Sequence, residues 1–597
     1  MRHMKRQLLL SCAALSIGFG SVQAQDQSAD LNTYFEEIFQ AELKTSPETQ
    51  SFLGIKDGYD RWDDPSDAQA LRDFADSQKS VSDMQLRFGR AELDDQTRLS
   101  YRLFEYNGQR DGRAFPFRHN GYLFNQMFGA QSGLPAFLIN IHRMSDASDA
   151  EAYIARLEGL KPKMEGLIAE AERRASMGVL PPTFVFDRVL ADAQNVLTGA
   201  PFDNAEPSTL LADFSKKVDA LNISDEDKAS LKDQASAALL TSVKPAYETL
   251  IRVMESQKRR STTDDGVWKF ADGAAYYAER LNYHTTTHMS ADEVHALGLA
   301  EVARIHDEMR TIKDKVGFKG DLKAFMAHLR DSDEFYYENT DEGKELYLAE
   351  ATKLIDTMKT QLPEYFATLP KAELVVKRVE AFREKSAGKA FYQRPAPDGS
   401  RPGTYYANLY DIKDMPTYQM EALAYHEGIP GHHMQLAIQQ ELENIPKFRL
   451  FGGITAYSEG WGLYTEYLPK EMGFYTDPYS DFGRLAMELW RAARLVVDTG
   501  LHHKKWTREE AVQYLLDNTP NSEGDSVKAI ERYIVYPGQA TAYKIGMLKI
   551  LEYREWAAKE LGAKFDIRGF HDVVLRNGPV PLAILEEQVK AWVASQK

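Results

Sequence analysis

Apolar residues recur at spacings of three and four along most of this 597-residue chain, and that periodicity is the tightest constraint on its fold. Over 208–256 they are Leu210, Leu211, Phe214, Val218 and Leu221, then, past a break near Asn222-Ile223-Ser224, Leu239, Leu240, Val243, Tyr247 and Ile251. Residues so spaced share one side of a helix, and each stripe must be buried against another element. Ser290-Ala291-Asp292-Glu293 is a capping-box pattern opening a further helix with Val294, Leu297, Leu299, Val302, Ile305 and Met309. Similar runs span 341–358 and 580–593. Strand-like segments are few, the best being 372–379 and 403–408, where β-branched or aromatic residues lie near glycine and proline. The second reads equally as a plain loop or as an edge strand to which an extended peptide could add. The expected fold is mainly α with a small β element. The basic and polar loop 258–266 is the expected seam between an N-terminal helical lobe, 25–260, and a C-terminal lobe, 261–597, with a cleft between them.

The first residues read as an export signal. Arg2, Lys5 and Arg6 precede a short apolar run containing Leu8, Leu9, Leu10, Leu15, Ile17 and Phe19, and Val22-Gln23-Ala24 has the small-x-small cleavage pattern. Residues 1–24 are therefore expected to be removed, giving a periplasmic or secreted protein. Cys12, the single cysteine, has a lipobox-like setting, but too few apolar residues precede it for the usual hydrophobic region. Cleavage would leave no thiol. It would also take the net charge from -17 to -20, because the segment carries three basic residues and no acidic one. So acidic a surface argues against nucleic acid or an anionic membrane as partner. No later stretch reaches the ~18 apolar residues that a membrane span needs. Nothing in the sequence sets the oligomeric state.

The chemistry concentrates in Glu421-Ala-Leu-Ala-Tyr-His426-Glu427-Gly-Ile-Pro-Gly-His432-His433. Zinc hydrolases with H-E-x-x-H place two histidines one helical turn apart, with the intervening glutamate beside the metal's water. Here two extra residues intervene. On a straight helix His426 and His432 would point about 240° apart, and His433 would lie roughly 10 Å along the axis. Neither could share an ion with His426, given Zn–N bonds of about 2.1 Å. Pro430 has no N–H to give the His426 carbonyl, and Gly428 and Gly431 permit unusual dihedrals, so a kink or bulge at 428–431 is expected. The rival reading is a Pro-Gly turn with its histidines bonded to backbone.

A third ligand should come from another helix. In Tyr457-Ser458-Glu459-Gly460-Trp461-Gly462-Leu463-Tyr464-Thr465-Glu466, Glu459 sits in an apolar setting where an unpaired carboxylate is costly. Glu466, seven residues on, shares its face and could accept a ligand's N–H. Two imidazoles and one carboxylate favour zinc, although manganese or iron suits the same set. Elsewhere, Asp498 is one turn before His502 and could hold its ring, for a proton shuttle, a substrate contact or a structural pair. His284 and His288 lack a neighbouring glutamate and read as structural.

H-E-x-x-P-G-H-H, then S-E-G-W-G-x-Y and Y-P-G-Q-A-x-x-Y, resemble the bacterial family called domain of unknown function 885. The likeness covers most of the chain, including Arg401-Pro-Gly-Thr-Tyr-Tyr-Ala-Asn408 and the segment from Arg494 to His502. In the metal region it extends to gluzincin peptidases of the thimet oligopeptidase and Taq carboxypeptidase types. That resemblance implies a gluzincin-like helical fold and one Zn²⁺ held by His426, His432 and Glu459, with His432 preferred to His433. It implies Glu427 as general base, and Glu466 behind the ligands. It further implies that Tyr543, Tyr536 or Arg532 stabilises the oxyanion, and that short peptides are the substrates. The rivals are hydrolysis of another amide or ester, or a catalytically silent exported protein that binds metal or peptide; an intact Glu427 weighs against the latter.

Overall fold

Polar caps set where the helices begin. In the computed structural model, which describes residues 26–380, 384, 388–396 and 401–597, Ser224 accepts the Asp227 amide at the start of the helix Asp225–Ala238, at the expected break. The periodic run continues through a wide π turn, Leu239–Val243, into the helix Lys244–Lys258. Pro245 has no N–H for the carbonyl four residues back, which loosens the ladder there. Residues 1–24, read as a signal, and Cys12 with them, lie outside the described residues.

Seven helices position the site. Helix α1 (Ala291–Lys315) opens on the expected capping box, with both reciprocal bonds between Ser290 and Glu293 formed. Helices α2 (Thr417–Glu427) and α3 (His432–Gln440) flank the histidine motif, and α4 (Thr455–Glu471) carries Glu459 and Glu466. They are followed by α5 (Pro478–His502), α6 (Glu523–Val535) and α7 (Ala542–Leu561). The fold is mainly α, with a single three-stranded sheet among the described residues.

From Phe482 to His502 every residue of α5 except Trp490 is buried, so this helix is a central rod rather than a surface one. Burying it buries its charges, and they require partners. Glu488 pairs with Lys544 at 2.5 Å and with Arg304, and Arg484 pairs with Asp481 at 3.0 Å. Asp498 accepts the Tyr277 hydroxyl at 2.6 Å and the Gly538 amide at 3.0 Å. Packing is close where glycines cross: a Cβ on Gly460 of α4 would come 2.5 Å from the Gly546 backbone of α7.

The sheet comprises β1 (Leu374–Arg378), β2 (Ala390–Gln393) and β3 (Gly403–Ala407), in the order β1-β3-β2. Strand β3 pairs parallel with β1 (Val376 opposite Tyr405) and antiparallel with β2 (Tyr392 opposite Tyr405). The segment expected as a possible edge is therefore the central, fully buried strand, both of its sides already taken by β1 and β2.

The buried residues of one core lie between Phe124 and Met254, with Trp62 and Val535 packed against them from outside that range. The seam at 258–266 is nonetheless tied down: Asp265 is buried, and the Val267 amide just beyond it donates to His502. Leu99 and Leu103 join the core built around α2, α4 and α7, so the early helices also support the C-terminal half. Among the described residues, no helix is long and apolar enough to cross a membrane.

Candidate metal centre

The helix does not bend at the motif; it stops. Helix α2 ends at Glu427, Gly428 (φ -94°, ψ -121°) and Gly431 (φ -79°, ψ -128°) leave helical geometry, and α3 restarts at His432. Space dictates glycine here. A Cβ on Gly431 would fall 2.0 Å from the His426 carbonyl oxygen, and one on Gly428 would fall 2.5 Å from that of Ala424. The Trp461 indole N–H donates to the Pro430 carbonyl at 2.9 Å, pinning this four-residue connection to α4.

The break turns His432 back towards His426. Their ring centroids are 4.7 Å apart and nearly perpendicular, at 86°. Glu459 Oε2 lies 3.9 Å from His426 Nε2 and 3.5 Å from His432 Nε2. One ligand atom from each of the three residues falls within 4.8 Å of the others. Donors bound tetrahedrally at about 2.1 Å would be separated by about 3.4 Å, so small side-chain movements would close the set around one ion.

His426 is oriented from behind. Its Nδ1 donates to Glu466 Oε1 at 2.8 Å, deep in the core, which turns Nε2 towards Glu459 and His432. Arg491 of α5 approaches the same Glu466 oxygen at 3.4 Å. Gly462, also of α4, lets the ring pass, since a Cβ there would lie 2.7 Å from His426 Cε1. His432 Nδ1, by contrast, is buried with no hydrogen-bond partner.

The electrostatics couple Glu459 to the two imidazoles. Burial works to raise the Glu459 carboxyl, but the hydrogen bond and charge of His432, with the charges of His426 and Arg532, pull it down to about 2. Burial works to lower His432, but Glu459, and Glu427 behind it, outweigh burial and raise it.

The remaining sequence candidates fall in different places. Glu427 is buried near enough to His432 to act on its charge. His433 is committed elsewhere: its Nδ1 accepts the Tyr392 hydroxyl at 2.9 Å and its Nε2 donates to the Ala372 carbonyl at 3.1 Å, binding α3 to the sheet. Arg532, at the end of α6, donates to Gln539 at 2.6 Å, interacts with the Tyr543 hydroxyl and acts on Glu459 through its charge. Tyr536 packs against the rings of Phe128 and His284. His502 departs from its expected partner. Asp498 is engaged with Tyr277 and Gly538, while the His502 ring accepts the Val267 amide and donates to the Tyr533 carbonyl, because both ring edges face backbone. Sequence reasoning missed Arg491, for which the sequence holds no local signal, and it missed Gly462 and the Trp461 pin, whose only signal was the glycines and tryptophan of S-E-G-W-G.

The chain is similar in fold to a solved structure described as "the putative lipoprotein from Colwellia psychrerythraea", with a TM-score of 0.89 and 30% identity over 96% of this chain and 100% of that one. A second, described as "a putative lipoprotein of unknown function from Shewanella oneidensis", shares the fold at a TM-score of 0.71 and 19% identity, covering 93% and 99%. No curated protein matches the chain. Residues 47–589 match the family described as bacterial proteins of unknown function, DUF885, and to that family the chain belongs.

Proposed function

We propose that this protein is an exported zinc-dependent peptidase that hydrolyses short peptides. The observation that carries the reading is the meeting of His426, His432 and Glu459 donor atoms within 4.8 Å, with the carboxylate of Glu427 beside them. His426 and Glu459, with His432 once it has lost its proton, would hold the ion. Zinc in such a set supplies a Lewis acid that brings a water's pKa down towards 7. Glu427 would take a proton from the water whose oxygen attacks the peptide carbonyl carbon, and return it to the amine nitrogen as the new C–O bond replaces the C–N bond. Arg532 and Tyr543 donate to the oxygen on which negative charge develops. Export rests on the N-terminal segment and on the description of the Colwellia psychrerythraea structure as a "putative lipoprotein". Should the chain be lipid-anchored, Cys12 is the only thiol for it, and the intact mass of the exported protein reads this directly.

The test is metal analysis of protein purified without chelator, together with a peptide-library digest. About one zinc per chain and chelator-sensitive cleavage are expected, and neither metal nor cleavage would end this reading. A local check comes from Gly462→Ala, which pushes a methyl into the His426 ring while favouring the helix by up to about 1 kcal/mol. Zinc affinity is expected to fall about tenfold or more with helical content unchanged, as outer-shell changes commonly do. Unchanged affinity in a chelator competition would disconnect His426 from the metal.

A further inference from the structure

Along the central helix α5, buried charges have partners with one exception. Arg484, Glu488 and Arg491 each reach an opposite charge, and Asp498 accepts two hydrogen bonds. Arg494 is 4% exposed, its Nε and Nη1 are buried without any hydrogen-bond partner, and among the described residues no carboxylate lies within ion-pair distance. Its guanidinium instead lies over aromatic rings, 4.6 Å from the Trp490 centroid and 4.5 Å from that of Tyr543. Such stacking holds the plane of the group and leaves its in-plane N–H donors unused. Arg491 and Arg532 are close enough to repel it. Arg491 reaches Glu466 and Arg532 acts on Glu459, which leaves Arg494 as the buried cation with no anion of its own, a costly state.

Its position suggests which one. Tyr543 lies under Arg494 and also meets Arg532, which in turn acts on Glu459 of the candidate ligand set. The unpaired guanidinium is thus joined to the metal centre through one tyrosine and one arginine. A rigid fork of N–H donors matches a carboxylate's two oxygens, which an amide does not offer.

We infer that Arg494 receives the C-terminal carboxylate of the substrate, so that short peptides are held by their free C-terminal end. This rests on the peptidase reading for its substrate class but is tested by binding, separately from turnover. The probes are an N-acetyl dipeptide as its free acid and as its C-terminal amide, titrated calorimetrically into the zinc-loaded protein. Acid and amide forms ending in glutamate or glutamine distinguish a terminal from a side-chain carboxylate. The free acid is expected to bind about 10- to 100-fold more tightly than the amide, as a charge-assisted bond provides. Arg494→Gln should reduce that ratio to near one, and Arg494→Lys should restore part of it. A merely structural stacking role would lower thermal stability in the variants without moving the ratio. Equal binding of acid and amide to the parent, or a preference that follows the side-chain carboxylate instead, overturns the inference. Absent cleavage with the acid preference intact would overturn the peptidase reading alone.

Discussion

Glu427→Gln is expected to lower the kcat/KM for peptide cleavage by about a hundred- to ten-thousand-fold, the range contributed by a positioned general base. The substitution keeps the shape and removes only the ability to take a proton. Because Glu427 is not among the three donors that meet, bound zinc should stay at the parental level. The pair of measurements separates roles. Loss of both metal and activity would make Glu427 a ligand or a folding determinant, whereas parental turnover would exclude it as the base. Alanine at His426, His432 or Glu459 should instead remove metal and activity together.

The second large effect concerns acid. Burial lowers His142, His433 and His502 to about 4, and His284 and His571 to about 3. Each stays neutral in the folded protein while the unfolded chain takes up its proton near 6.5, so folding loses stability as pH falls below about 6.5. Two carboxyls act in the opposite sense. Burial raises Asp265 to about 6 and Asp498 to about 7, so their protonation favours the folded state as pH falls through those values. From pH 7 to pH 5 the five histidines cost about 9 kcal/mol and the two carboxyls return about 4, a net loss of about 5 kcal/mol. Urea midpoints of the metal-free protein at the two pH values check this directly. An unchanged or higher midpoint at pH 5 would mean that these rings are already charged or exposed in the fold.

Much of the secondary structure was legible because it is set locally. The capping box at Ser290, the break before Ser224 and the strands at 374–378 and 403–407 follow from neighbouring side chains. Strand β2 was missed, since Ala390–Gln393 is only four residues long and is a strand because β3 lies alongside it. The π turn at Leu239–Val243 interrupts what reads as a continuous run.

The site divides in the same way. The sequence by itself determined that His426 and His432 could meet only if the helix failed between them, because a regular helix fixes the direction of every side chain and Gly428, Pro430 and Gly431 supply the failure. It also placed Glu459 and Glu466 on one face of a second helix. Only the tertiary structure decided that His433 belongs to the sheet, that His502 answers to backbone rather than to Asp498, and that Arg494 is left without a partner. Those outcomes depend on which distant segments arrive at each ring or guanidinium. Arrival is governed by packing across the whole core, where contacts between residues tens to hundreds apart leave no periodic trace in either segment.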